Sequence, residues 1–203
     1  MANLEIENSL SGLICGLDEV GRGPLVGPVT AACVYIPDEV RSQDFWQIVT
    51  DSKKLTQKKR EMLFPLIQQT CNWGIGNATI EEIDDLNILQ ASLLAMRRAY
   101  DDMGVAMDHA LIDGNKKAGL PCTEMTVVKG DSKSLSIAAA SIIAKVSRDN
   151  HMLELHAEHP EYAWDSNAGY GTKAHLDAIE ENGITIHHRK TFKPISLLIG
   201  DAA

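Results

Sequence analysis

Residues 11–28, SGLICGLDEVGRGPLVGP, hold the stretch on which the fold turns. Leu13 to Leu17 is a short apolar run suited to a buried strand, and it ends on two adjacent carboxylates, Asp18 and Glu19. Neighbouring carboxylates repel, and apolar flanks raise the cost of ionising both, so the pair persists most easily where a cation neutralises it. Gly21, Gly23, Pro24, Gly27 and Pro28 follow as a loop. Their spacing misses G-x-G-x-x-G, and Val29 to Ile36 (VTAACVYI) reads as a strand rather than a helix, which argues against a dinucleotide cradle. A loop without side chains at two positions instead lets main-chain N–H and C=O groups come close to a ligand. The plainer alternative is a solvated strand end followed by an ordinary Gly-Pro turn.

Outward from this stretch, residues 13–18, 29–36 and 73–79 read as three strands of an antiparallel meander. A helix between the second and third is capped by Thr56 and carries Met62, Leu63, Leu66 and Ile67 on its apolar stripe. Just before it, the polar turn Asp51-Ser52-Lys53-Lys54 offers a hydroxyl and an ammonium to a phosphate. Thr79 with Glu82 fits a capping box, and Leu86, Leu89, Leu93, Met96 and Tyr100 recur at helical spacing, predicting one long helix over residues 80 to about 102. Ala110 to Ile112 then form a brief apolar run that ends in Asp113-Gly114-Asn115, repeating the pattern of a buried strand carrying a carboxylate out at its end.

Thr123 to Val128 predict another strand, and Lys129-Gly130-Asp131 precedes a helix from Ser134 to about Leu155 that is apolar nearly all round and therefore deep. Asp131 can face the same sheet edge as Asp18 and Asp113, or serve only as a charge at the helix start. Asp149 lies ~27 Å further along a continuous helix, too far to share a compact cluster with Asp131, and is expected to pair with Arg148 or Lys145. His151, His156 and His159 are spaced i, i+5, i+8, which does not put them on one helix face and argues against zinc. In the polar loop Trp164 to Thr172, Tyr170 stands between two glycines, and spacing alone favours a ring packed down on the fold. Thr172 caps a short helix that Gly183 stops, and the tail from His187 to Phe192 is basic with one aromatic.

The chain has 203 residues, 44% of them hydrophobic, enough for one domain with a substantial core. No apolar run of about 18 residues and no basic-then-apolar N-terminal segment occurs, so a cytoplasmic protein with no membrane contact is expected. Cys15, Cys33, Cys71 and Cys122 are widely spaced, as buried thiols rather than a disulfide framework or zinc knuckle. The formal charge of −9 argues against bulk electrostatic binding of nucleic acid. Positive charge nevertheless gathers at Lys53, Lys54, Lys58, Lys59 and Arg60, at Lys116 and Lys117, and at His187 to Lys190, three patches able to follow a phosphate backbone.

Acids at strand ends, without histidine or cysteine, suit Mg²⁺ or Mn²⁺. Two such ions about 4 Å apart can clamp attacking water and leaving oxygen in phosphodiester hydrolysis. At this point the chain resembles ribonuclease HII, the type 2 ribonuclease H of bacteria, through GLDEVGRGPLVGPV (16–29), DSKKL (51–55), IDDLNIL (83–89), LIDGN (111–115), KGDSKSLSIAAASIIAKVSRD (129–149) and GYGT (169–172). The resemblance implies an α/β ribonuclease H-like fold, a five-stranded mixed sheet flanked by helices with a helical C-terminal extension. It implies one domain over 1–203, with a catalytic core to about 160 and a substrate-contacting portion from about 161.

By the same resemblance the chain cleaves the RNA strand of RNA/DNA hybrids and incises duplex DNA 5′ of a single embedded ribonucleotide, using two Mn²⁺ or Mg²⁺ ions and leaving 3′-OH and 5′-phosphate ends. Asp18, Glu19, Asp113 and Asp131 fall on the family's metal-binding, catalytic acids. Gly21-Arg22-Gly23 falls on the motif whose backbone reads the ribose 2′-OH, and Tyr170 on the ring that packs on the neighbouring sugar. Ser52, Lys53, Lys145 and Arg189 fall on further substrate contacts. No separate substrate-binding domain precedes the first strand, unlike type HIII enzymes, and a monomer is expected. Another metal-dependent phosphodiesterase and a non-catalytic hybrid-binding module are the alternatives.

Overall fold

A computed structural model describes residues 2–200; Met1 and residues 201–203, the ends of the expected 1–203 domain, lie outside the described residues. In chain order the elements are α1 (Glu5–Asn8), β1 (Ile14–Val20), β2 (Val29–Tyr35), α2 (Gln57–Thr70), β3 (Asn72–Ala78), α3 (Ile80–Leu86), α4 (Ile88–Met103), β4 (His109–Asp113), β5 (Thr123–Val127), α5 (Leu135–Glu158), α6 (Trp164–Asn167), α7 (Lys173–Asn182) and α8 (Ile195–Gly200). The strands form one sheet in the order β3-β2-β1-β4-β5. β1 and β2, and β2 and β3, pair antiparallel, as the meander required. β4 lies parallel to β1, and β5 parallel to β4, which completes the expected five-stranded mixed sheet.

Strand alternation divides the core between the two faces. Ala32 and Val34 of β2 join Leu63 and Ile67 of α2 and Ala139, Ile142 and Ile143 of α5 on one side. Leu17, Ala31 and Cys33 meet Ala91, Ala95 and Ala99 of α4 on the other. Both helices approach the sheet closely because side chains are missing at the contact. A Cβ on Gly16 would lie 2.3 Å from Ile137 N, and one on Gly76 2.1 Å from the Ala95 carbonyl oxygen. α5 is sunk between the sheet and α2, which explains why its sequence is apolar on nearly every side.

The predicted helix over 80–102 is two helices. Asn87 has φ +71°, which ends α3, and its side-chain oxygen accepts the Leu89 and Gln90 N–H groups, which starts α4. The break turns Leu86 out to solvent, and the buried stripe of α4 is carried by its alanines, Met96, Tyr100 and Met103 rather than by leucines. Met62 of α2 is likewise exposed. The Thr79–Glu82 capping box and the Thr56 and Thr172 caps form where the residues indicate.

After α5 the chain builds a small third core from Tyr162, Trp164, Ile179 and Ile195. That core also takes in Leu25 and Val26, from the loop that follows the two acids of β1. Backbone hydrogen bonds tie the same loop down: Leu25 N–H to Gly169 O at 2.8 Å, Gly27 N–H to His187 O at 3.0 Å and Arg189 N–H to Leu25 O at 2.8 Å. Cys15 and Cys33 are buried, Cys71 and Cys122 half-buried, and all four are free thiols. Among the described residues no helix is long and apolar enough to cross a membrane. Because the β1–α5 contact leaves no room for a methyl group, Gly16→Ala should lower stability by about 1–3 kcal/mol, read as a lower urea midpoint at unchanged slope.

Candidate active site

The parallel ladder pairs Leu17 with Ile112, so Asp18 and Asp113, the next residues on the two strands, emerge side by side toward the C-terminal ends of these adjacent interior strands. Successive residues of a strand point to opposite faces. Asp18 therefore shares the α5 side with Gly16, and Glu19 the α4 side with Leu17. Asp131 arrives from a short 3₁₀ turn, Gly130–Ser132, just ahead of α5. Asp113 Oδ1 accepts the Gly130 N–H at 2.6 Å, which joins the end of β4 to the turn bearing Asp131.

Asp18 and Asp131 are both buried. Burial pushes the Asp18 carboxyl well above its ordinary range, and the nearby charges of Glu19, Asp113 and Asp131 push the same way. Glu19 is raised by burial too, against the pull of Arg22, whose guanidinium lies 3.0 Å from Glu19 Oε1. Asp131 is raised by burial, then by Asp51 and Asp113, with Lys53 opposing. Glu19 Oε2 is buried with no hydrogen-bond partner. A cavity of about 230 Å³ opens beside it between Arg22, Ser92, Met96, Asp113 and Lys116. Like charges held together out of water, with one oxygen orphaned, are what a hard divalent cation would satisfy, and Asp18, Glu19, Asp113 and Asp131 offer it oxygen alone.

Two other features lie apart from these acids. A larger cavity, about 370 Å³, lies between Pro28, Thr30, Asn77, Ile80 and His151 and holds none of them. Glu158, His159 and His187 form the one set of three or more such side chains, among the described residues, whose ligand atoms all lie within 4.8 Å of one another. The four acids stand more openly than that. His151, His156 and His159 themselves go to separate partners: Glu154, Asp165 and Glu161.

The glycine loop adjoins the acids and is held from behind. Gly21 has φ +89°, a left-handed conformation that favours glycine. Arg189, expected as a substrate contact in a basic tail, is fully buried instead. Its guanidinium donates to the carbonyls of Gly21 (2.6 Å), Arg22 (3.1 Å) and Gly27 (2.7 and 2.9 Å). His188 is buried as well, so the third basic patch reduces to half-buried His187 and exposed Lys190. Arg148 does similar work, donating to the carbonyls of Val26, Pro28 and Ala168, and among the described residues it pairs with no acid. Tyr170, expected to pack down, is 47% exposed, and its ring edge lies 3.4 Å from where a Gly23 Cβ would stand.

Ser52 is buried, its N–H 3.3 Å from Ser141 Oγ, while Lys53 is exposed and close enough to act on Asp131. Lys145 is bound to Asp149 at 2.6 Å, so its charge is balanced within the protein; Asp149 also faces Arg60 at 3.9 Å, and Arg148 takes no part. Two residues of this region escaped the sequence reading. Asp51 borders Asp131, and its only signal was its place in the polar turn before α2. Arg148 was legible as a cation on a helix too apolar to leave it in water.

The sequence profile of the family described as ribonuclease HII matches residues 15–195. Ribonuclease HII of Paramagnetospirillum magneticum is 52% identical over 196 residues, 97% of this chain and 98% of that one. Among solved structures, ribonuclease HII of Archaeoglobus fulgidus, determined as a complex with PCNA, is 25% identical with a TM-score of 0.72, covering 89% of this chain and 95% of that one. Bst-RNase HIII in complex with Mn²⁺ shares the fold at 19% identity, with a TM-score of 0.72 over 94% of this chain and 70% of that one. The chain belongs to the ribonuclease HII family and is a metal-dependent endoribonuclease with ribonuclease H activity.

Proposed function

We propose that this endoribonuclease reads the junction between RNA and DNA, incising duplex DNA 5′ of a single embedded ribonucleotide as well as the RNA strand of RNA/DNA hybrids. The observation that carries this reading is the state of the Gly21–Gly23 backbone beside the acids. Arg189 occupies the carbonyls of Gly21 and Arg22, while among the described residues the N–H groups of Arg22 and Gly23 and the Gly23 carbonyl have no partner. A ribose 2′-OH both donates and accepts, so a main chain that keeps one donor and one acceptor free, with no side chain in the way, can test for it. Tyr170, exposed beside Gly23, packs on the sugar of the deoxynucleotide that follows.

Asp18, Glu19, Asp113 and Asp131 hold two divalent ions, Mn²⁺ or Mg²⁺, which when bound supply positive charge to the scissile phosphate and a more acidic water. The protein's own part is to place those oxygens and, among the described residues, to keep them unpaired by lysine or arginine, apart from Arg22 on Glu19. Lys53, and Ser52 at the same turn, meet a flanking phosphate. The substrate is a polyanion and the protein carries −9, so the ions and these few cations carry the electrostatic side of recognition.

A duplex with one ribonucleotide, labelled at the 5′ end and incubated with Mg²⁺ or Mn²⁺, should give a single product ending in 3′-OH just before the ribonucleotide. A strand left whole with both metals defeats the reading. Asp18→Asn should lower cleavage at least about 100-fold. Because folding raises the Asp18 pKa, the ionised carboxylate weakens the folded state above that pKa, and the penalty fades as pH falls through it. In metal-free buffer at pH 7, Asp18→Asn should therefore be more stable than the parent by about 1–2 kcal/mol, and the gain should shrink on acidification.

A further inference from the structure

Two buried histidines take no part in the chemistry described so far: His175 in α7 and His188 in the tail, both with no exposed surface. Their hydrogen bonds assign their protons. Trp164 Nε1–H can only donate, and it points to His175 Nε2 at 3.1 Å, so that nitrogen is bare and the ring carries its proton on Nδ1. His175 Nδ1 donates across 2.9 Å to the carbonyl oxygen of Tyr170. His188 Nδ1 accepts the Thr185 N–H at 2.9 Å and lies 3.0 Å from the Thr185 hydroxyl. Its proton therefore sits on Nε2, 3.3 Å from the bare Nε2 of His175. Each donor finds an acceptor with both rings neutral, and a further proton on either ring would face another donor. Burial lowers His175 and takes His188 down to about 4, the direction this bonding demands.

The circuit ends on the main chain of Tyr170. That carbonyl also accepts the Thr172 N–H at 2.8 Å, and the Tyr170 N–H donates to Asn167 O at 2.9 Å, so the backbone is gripped while the ring stays exposed. The next residue after His188 is Arg189, which grips the glycine loop. One two-residue step in the tail thus holds both sides of the recognition surface.

We propose that His175 and His188 are positioning residues that set the Tyr170 ring against the Gly21–Gly23 loop, and so decide how strongly a single-ribonucleotide junction is preferred over a continuous RNA/DNA hybrid. This rests on the reading of Tyr170 given above as the ring that packs on the sugar after the ribonucleotide.

The test compares kcat/KM on a one-ribonucleotide duplex and on a long hybrid for the parent, Tyr170→Ala, His175→Gln, His175→Asn and the double variant Tyr170→Ala with His175→Gln. An asparagine amide reproduces the Nδ1–H donor, whereas a glutamine amide reaches the other nitrogen's place. The junction-to-hybrid ratio should fall about tenfold in His175→Gln and stay within about twofold of the parent in His175→Asn. In the Tyr170→Ala background, His175→Gln should change the ratio no further. Equal losses on both substrates, with additive effects in the double variant, would mean a purely structural role and overturn the proposal. If Tyr170→Ala leaves the ratio unchanged, the reading of Tyr170 fails and takes this one with it; if it lowers the ratio and His175→Gln does not, this proposal alone fails. Should the histidine variants not fold, ¹⁵N NMR of the parent at pH 7 decides: Nδ1–H on His175 and Nε2–H on His188 are expected, and either opposite tautomer overturns the proposal.

Discussion

The parallel pairing of β1 with β4 is the constraint on which the rest depends. It brings Asp18 beside Asp113, although 95 positions of sequence numbering separate them, and it forces a crossover because parallel strands cannot be joined by a hairpin. That connection is supplied by β2, α2, β3 and the α3–α4 pair, and α4 closes on the sheet through the alanine and glycine contacts of its inner face. α5 then returns across the opposite face and delivers Asp131 at its start. Four carboxylates meet there, Asp18 and Asp131 buried and Glu19 and Asp113 half-buried, an arrangement that costs stability while no cation neutralises it. The raised Asp18, Glu19 and Asp131 carboxyls place electrostatic strain here, where the chemistry is proposed to occur.

The loop proposed to recognise the substrate rests on a second, less common arrangement: two buried guanidinium groups with carbonyl oxygens for partners. Burial takes Arg148 down to about 10 and Arg189 to about 9, both still charged at neutral pH. A carboxylate partner would have neutralised them. Carbonyl dipoles satisfy the N–H groups and leave the positive charge in place beneath a loop proposed to face a phosphate chain. The small C-terminal core adds an apolar hold on the same loop through Leu25 and Val26, so the loop's shape depends on residues more than 120 positions away.

Most of the architecture was legible in the chain because it is written in local patterns. Short apolar runs ending in a carboxylate marked β1 and β4, capping residues marked the starts of α2, α3 and α7, and a long apolar run marked α5. The misreadings share one cause. Asn87 interrupts a helical stripe by adopting a positive φ that its side chain then exploits, and periodicity does not encode that. Arg189 sits in a run of basic residues that looks solvated, yet the carbonyls that receive it come from residues 21–27.

By itself the sequence determined the strands, the carboxylates at the ends of β1 and β4 and the glycine-rich loop after the first of them, since each is a matter of residue type and near spacing; Asp131 joined them only through the resemblance to a known family. Only the tertiary structure decided which charges are buried, that Arg189 and Arg148 brace the loop from within, that Tyr170 stays exposed beside Gly23, and that buried His175, itself in contact with His188, bonds the Tyr170 backbone. The physical reason is range. Secondary structure follows from neighbours within a few residues, whereas burial, proton placement and the partners of a buried cation follow from groups brought together only when the chain closes on itself.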